Sequence, residues 1–389
     1  MTGGGGVPPA QVDLPTDRPV VIAGAVVTAL VAVVVLYVGY RLLRWLRRPQ
    51  SARFVEAIEG LATVDVLMHP NPDPDAMSSA MGVAAVARSV GVEPTLWYSG
   101  EIRHQENRAF ETVLNLDLRH VEGVEQLDGD AVVLVDHNEP RGFPDAENVE
   151  PVAVVDHHPG EGSGTEHTDV RPKYGACASV VAEYLDQLGA TVLAPGEEAP
   201  PGEFTVESDL ATGLVYGVQS DTDRLVSGVC EADFLACGFL FPGVDEETLD
   251  RIANPQVDAE TLEVKSRAIS DREVDAPYAV SDVGDVGNVD AIPQSADELV
   301  RLEGVTAVVV YGEVDGTIHL SGRSRDDRVH MGNALSAAVE EIPMAGAGGH
   351  ARMGGGQVPR EHMEGIGPQT GVSKTRLKAR LFEAMRGEL

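Results

Sequence analysis

The chain has 389 residues, with 62 Asp and Glu against 29 Lys and Arg and a formal net charge of −33. That balance excludes a general nucleic-acid coat protein, which needs clustered Lys and Arg to displace counterions from phosphates. An apolar content of 43% excludes a wholly disordered acidic chain and, at this length, predicts two or three packed domains.

The basic side contains four lysines (Lys173, Lys265, Lys374 and Lys378); every other basic residue is arginine. Abundant carboxylates with scarce lysine read as adaptation of the surface to high salt. Cys177, Cys230 and Cys237 form no Cys-x-x-Cys pair. Neither a disulfide framework nor a zinc site is expected from them, and a reducing compartment fits.

Residues 1–18, with Gly3–Gly6 and Pro8-Pro9, read as an unstructured tail. Pro19–Tyr40 follows as a charge-free run, of the ~20 apolar residues that a bilayer-spanning helix needs. A basic segment, 41–55, comes next, carrying Arg41, Arg44, Arg47, Arg48 and Arg53. Positive charge on the C-terminal side of the run predicts a single-pass protein of the cell membrane, in contact with lipid and with its body in the cytoplasm.

Beyond the basic segment, apolar runs of strand length alternate with helical patterns. Val64–Met68, Ala131–Val135 and Val152–Val155 are Val-rich on both faces, as buried parallel strands are. Ala76–Val90, Ala178–Leu188 and Asp209–Gln219 read as helices, and Leu193–Val206 as a surface loop. The expected fold class is α/β: the membrane helix, then a parallel-sheet domain over 56–244, a connector over 245–270, and a smaller α/β domain over 271–370. The second domain shows strands near Val305–Tyr311 and Thr317–Ser321, a helix near Gly332–Glu341, and a glycine cluster at Gly346–Gly356. The basic tail, 371–389, reads as a short surface helix.

Three strand-like runs end in acids and histidines: His69-Pro-Asn71-Pro-Asp73-Pro-Asp75, Asp136-His137-Asn138 and Asp156-His157-His158. Asp221 follows the helix Asp209–Gln219. The carboxyl ends of parallel strands face one crevice, so these segments can converge. Prolines 70, 72 and 74 forbid a helix and hold the first loop extended. His69, Asp73, Asp75, Asp136, His157 and Asp221 are too many donors for one catalytic zinc. They suit two octahedral divalent ions, Mn²⁺ before Mg²⁺ because imidazole is present, with Co²⁺ as a further alternative.

In order and local spacing these four motifs resemble those of the DHH phosphoesterase superfamily, over roughly Phe54 to Pro242. The resemblance implies one ion at His69, Asp73 and Asp136 and another at Asp75, Asp136, His157 and Asp221. It gives His158 a contact with the substrate phosphate or leaving group, and makes Asp156 an acid that orients the neighbouring histidine. Catalytic roles then fall to Asp136, Asp156 and His158.

Ser321-Gly-Arg323-Ser324, followed by Gly348-Gly349-His350, resembles the DHH-associated type-1 substrate domain. That domain occurs in oligoribonucleases, nucleotide phosphatases, cyclic dinucleotide phosphodiesterases and RecJ-like exonucleases, whereas family-2 pyrophosphatases and exopolyphosphatases carry another. Ser321, Arg323, Gly348, Gly349 and His350 are the implied substrate-binding residues, with glycine N–H groups approaching a phosphate and Arg323 gripping it. Ala351-Arg352-Met353 departs from the small residues usual after that motif, which bears on base and sugar recognition. Trp97–Asn107 is rich in side-chain donors, and Gly175–Ser179 opens a helix that can face the metal crevice.

The resemblance implies a membrane-tethered, metal-dependent phosphodiesterase for cyclic di-AMP, short oligoribonucleotides or 3′-phosphoadenosine 5′-phosphate. A non-catalytic nucleotide sensor and a RecJ-like single-strand exonuclease stay open, as does a homodimer. Long DNA is not an expected partner.

Overall fold

The Val-rich runs become neighbouring parallel strands in the computed structural model, which describes residues 28, 31–33, 35–37, 48–363 and 372–389. Two units separate. One comprises the chain up to Pro70, Asp75–Gly100 and Asp117–Val244; the other comprises Asn71–Pro74, Glu101–Leu116 and Asp245–Leu389.

The first unit is built on six parallel strands: β1 Thr63–Met68, β2 Glu93–Tyr98, β3 Leu118–His120, β4 Val132–Val135, β5 Ala153–Asp156 and β6 His167–Val170. They lie in the order β3-β2-β1-β4-β5-β6. Chain order runs outward in both directions from the β1–β4 pair, which makes that pair the topological switch point where open α/β sheets bind ligands. Helices Pro74–Ser89, Cys177–Gln187 and Ser208–Asp221 contribute to its core. Asp65, a charge inside buried β1, is accounted for: it accepts Trp97 Nε1 and the Gly129 N–H, each at 2.8 Å.

The second unit holds a mixed six-stranded sheet. Tyr278–Asp285 and Ala307–Val314 pair in parallel, and the remaining neighbours are antiparallel. Alternation along Ala307–Val314 sends Val309 and Tyr311 to one core and Val308 and Val310 to the other. Helices Met331–Val339 and Lys374–Arg386 cover the first face, and Ala259–Ser270 and Ala291–Leu299 the second.

Two expectations change. Among the described residues no helix is long and apolar enough to cross a membrane. The longest, Pro74–Ser89, has 16 residues, about 24 Å of helix against about 30 Å of hydrocarbon. Of the run Pro19–Tyr40, residues 28, 31–33 and 35–37 are described, as exposed helix, and the rest lies outside the described residues with Arg41, Arg44 and Arg47. Arg48 pairs with Glu56 at 2.7 Å. This finding overturns the single-pass membrane location and the lipid contact attached to it.

The basic tail is a helix, Lys374–Arg386, but only one face of it lies at the surface. Leu377, Leu381 and Met385 enter the core, and buried Arg380 donates to the Ala337 and Ala338 carbonyls at 2.8 and 2.7 Å, closing the end of helix Met331–Val339.

The glycine cluster forms a β-hairpin, with Gly346–Gly349 paired to Met353–Pro359. Its composition has a packing cause. A Cβ at Gly332 would stand 2.3 Å from the Gly349 carbonyl oxygen, so glycine lets the helix start lie directly on the hairpin. The N–H groups of Met331 and Gly332 are bonded there to the Ala351 and His350 carbonyls, at 2.9 and 3.1 Å.

Candidate metal centre

His69 follows β1, Asp136 follows β4, and Asp156 ends β5. Three adjoining strands therefore deliver these residues to the switch point. Three groups of donor atoms result, each with its atoms within 4.8 Å of one another: His69, Asp73 and Asp136; Asp75, His157 and Asp221; and Asp136, His157 and His158. Asp136 belongs to two of them, and it adopts a left-handed backbone (φ 60°) that Asp tolerates better than most residues.

Each imidazole is oriented through its other nitrogen. His69 Nδ1 bonds the Pro70 carbonyl at 2.9 Å and His157 Nδ1 the Tyr174 carbonyl at 3.2 Å. Nε2 of His69 then faces Asp136 at 3.4 Å. Nε2 of His157 faces Asp136 and Asp221 at 3.4 Å and Asp75 at 3.7 Å. Donors sharing an ion at about 2.1 Å stand about 3.0–3.4 Å apart, so this spacing, the carboxylate–imidazole chemistry and the backbone-held tautomers all fit divalent cations.

Electrostatics agree. Burial opposes a charge on His157, yet Asp221, Asp75 and Asp136 overcome it and raise its pKa to about 10. In the metal-free protein a proton thus occupies ground that a cation can take. Adding Mn²⁺ to metal-free protein at pH 7–9 is expected to release about one proton per chain from this residue, and affinity should rise by up to about tenfold per pH unit until about pH 10. Titration in weak buffer with a pH indicator reads this; metal uptake without proton release would contradict the assignment of His157.

Asp156 is buried and serves His158. Its Oδ1 bonds His158 Nδ1 at 2.9 Å and accepts the His157 and His158 N–H groups at 2.8 and 3.1 Å. Burial pushes its pKa up, but His158 and these bonds hold it below the usual range, and Asp156 in turn raises that of His158. Asn138 donates to Asp156 Oδ2 at 2.8 Å, a role the sequence reading did not assign. His137, beside Asp136, is not one of the clustered donors: burial lowers its pKa to about 3, and Nδ1 bonds the Val135 carbonyl.

Asp75 shows a second use. Its two oxygens accept the Cys177 and Ala178 N–H groups, each at 2.7 Å, at the start of helix Cys177–Gln187. Asp221 is the last residue of its helix rather than the residue after it. Within the donor-rich Trp97–Asn107 stretch, buried Asn107 holds the Pro72 carbonyl at 3.0 Å, and the Glu101 N–H donates to Asn71 at 2.9 Å. The loop that carries Asp73 is fixed in this way.

In the second unit, Ser321, Arg323, Gly349 and His350 line a cavity of about 1250 Å³ together with Arg103, Arg108, Ile292 and Met344. Gly348 pairs with Gly355 in the hairpin. The Arg323 guanidinium is preset: Nε bonds Asp297 at 2.6 Å and Nη1 bonds Ser321 Oγ at 3.1 Å.

A parallel sheet with carboxylates and imidazoles gathered at its switch point, in a chain with a second mixed-sheet unit, defines a two-unit α/β protein with a divalent-metal centre. The DHH family, N-terminal domain, matches residues 63–218 and the DHHA1 domain matches residues 275–366, and the chain belongs to the DHH phosphoesterase superfamily. An uncharacterized protein of Methanocaldococcus jannaschii is 32% identical over 334 residues, 85% of this chain and 64% of the relative. A probable manganese-dependent inorganic pyrophosphatase of Bacillus mycoides is 29% identical over 187 residues, 47% of this chain and 56% of the relative. The chain thus spans between half and two thirds of each. Among solved structures, an exopolyphosphatase-related protein from Bacteroides fragilis shares the fold, with a TM-score of 0.60 at 14% identity, over 87% of this chain and 96% of that one.

Proposed function

We propose that this chain is a divalent-metal-dependent phosphodiesterase for small nucleotidic substrates. The observation that carries the reading is the pair of ligand groups that adjoin at Asp136. His69, Asp73 and Asp136 would hold one ion, and Asp75, Asp136, His157 and Asp221 the other. Two bound ions supply an activated water and neutralise phosphoryl charge. Mn²⁺ stands ahead of Mg²⁺ and Co²⁺ because imidazole is among the donors and because the pyrophosphatase relatives are described as manganese-dependent.

The chain's own side chains supply the rest. His158, held by the Asp156 hydrogen bond that raises its pKa, would donate to a phosphoryl oxygen or the leaving group. Asp156 keeps that ring turned toward Asp136, 3.5 Å away. In the second unit Arg323, Ser321, His350 and the Gly348-Gly349 backbone would hold a substrate phosphate. The DHHA1 match and a cavity with apolar as well as cationic walls support a nucleoside-bearing substrate over bare pyrophosphate. The acidic, lysine-poor composition supports assay at high salt.

A substrate panel tests this with the full chain, Mn²⁺ and low or molar salt. Cyclic di-AMP, a short oligoribonucleotide or 3′-phosphoadenosine 5′-phosphate should exceed pyrophosphate in kcat/KM by at least about 10²-fold. A preference for pyrophosphate would overturn the substrate class, and tight binding of cyclic di-AMP without turnover would replace the enzyme by a sensor.

A further inference from the structure

We infer that one segment, 171–178, a loop with the first residues of helix Cys177–Gln187, is the positioning device for the Asp75, His157 and Asp221 group, and that Asp233 and Arg171 act through it. The inference rests on that group being a metal position. The segment bonds two of the donors and packs beside the third. The Tyr174 carbonyl accepts from His157 Nδ1 at 3.2 Å. The Cys177 and Ala178 N–H groups donate to Asp75 at 2.7 Å. Gly175 packs against Thr222, the neighbour of Asp221, so closely that a Cβ at 175 would stand 2.6 Å from Thr222 Cγ2. His69, in the other group, takes its orienting bond from its own neighbour Pro70, at 2.9 Å.

The loop is clamped from two sides. The peptide joining Tyr174 to Gly175 turns its carbonyl to His157 and its N–H to Asp233, 3.1 Å from either carboxylate oxygen. Asp233 is fully buried and also accepts Ser179 Oγ at 2.6 Å and the Cys230 N–H at 2.7 Å. At the other end the Arg171 N–H donates to the Asp156 carbonyl at 2.8 Å, and the Tyr174 N–H closes a turn on Arg171 at 2.9 Å. The Arg171 guanidinium bonds Asp169, Glu183 and the Tyr174 hydroxyl at 2.7–3.0 Å, and that hydroxyl donates to Glu183 at 2.7 Å. Largely buried charges are costly to desolvate. Here Asp233 bonds the Tyr174–Gly175 peptide itself and the Arg171 cluster holds the Tyr174 side chain, and that peptide fixes which nitrogen of His157 faces the carboxylates.

The test is a Mn²⁺ titration of the full chain, with free ion read by electron paramagnetic resonance. Wild type should show two bound ions. Gly175→Ala, which drives a methyl into Asp233 and Thr222, and Asp233→Ala should each weaken one ion by about tenfold or more and leave the other within about twofold. Asp233→Asn, whose amide oxygen still accepts from Gly175, should recover most of the loss. Arg171→Met releases the Tyr174 hydroxyl instead and carries the same expectation should the other variants not fold. Equal weakening of both ions, or of neither, overturns the inference. His157→Ala separates the two readings: if it loses one ion while the loop variants lose none, the positioning role alone fails; if it loses none, the metal assignment fails.

Discussion

Asp136→Asn is expected to lower kcat on a nucleotidic phosphodiester by at least about 10³-fold and to reduce bound Mn²⁺ below two per chain. The size follows from its place: Asp136 stands 3.4 Å from both His69 and His157, so each ligand group loses a charge when it does. Asparagine is the right probe because it tolerates the left-handed backbone at φ 60° and keeps the side-chain shape. The metal-free variant should therefore unfold within a few degrees of wild type. Retained turnover with the fold intact would remove Asp136 from the centre of the mechanism.

Arg323→Ala should act differently. Charged hydrogen bonds contribute about 1.5–3 kcal/mol, so kcat/KM should fall about 10- to 100-fold, mainly through KM. Asp297 and Ser321 already hold the guanidinium, so gripping a phosphate immobilises little side-chain freedom, and the arginine contributes its binding energy nearly in full. Metal stoichiometry should be unchanged. A fall confined to kcat, or no change in either constant, would remove Arg323 as a phosphate clamp.

The parts of this site that were legible in the sequence are those set by periodicity and position. β1, β4 and β5 are Val-rich on both faces, and the acids and histidines stand at their ends. β2, β3 and β6 were not legible: Glu93 and Pro94 open β2, and β6 is His-Thr-Asp-Val, so none carries the apolar run that marks a buried strand. The support of the candidate metal donors was hidden for another reason. Asp75 bonds a backbone N–H 103 residues away and His157 a carbonyl 17 residues away, and backbone partners leave no signature in residue type. The hairpin form of the glycine cluster was not legible because glycine serves both a phosphate-binding backbone and a hairpin on which a helix packs. Charge misled at the C-terminus, where Arg380 is a buried helix closure.

On the proposed function, two cations held around Asp136 would make this chain a nucleotidic phosphodiesterase. The direct measurement is the initial rate of the full chain on such a substrate as Mn²⁺ is stripped with a chelator and restored, with bound metal counted at each point. The expected result is hydrolysis that disappears with the metal, returns on its addition, and reaches its full rate near two ions per chain. Hydrolysis that persists in stripped protein, or none with both ions bound, would contradict it.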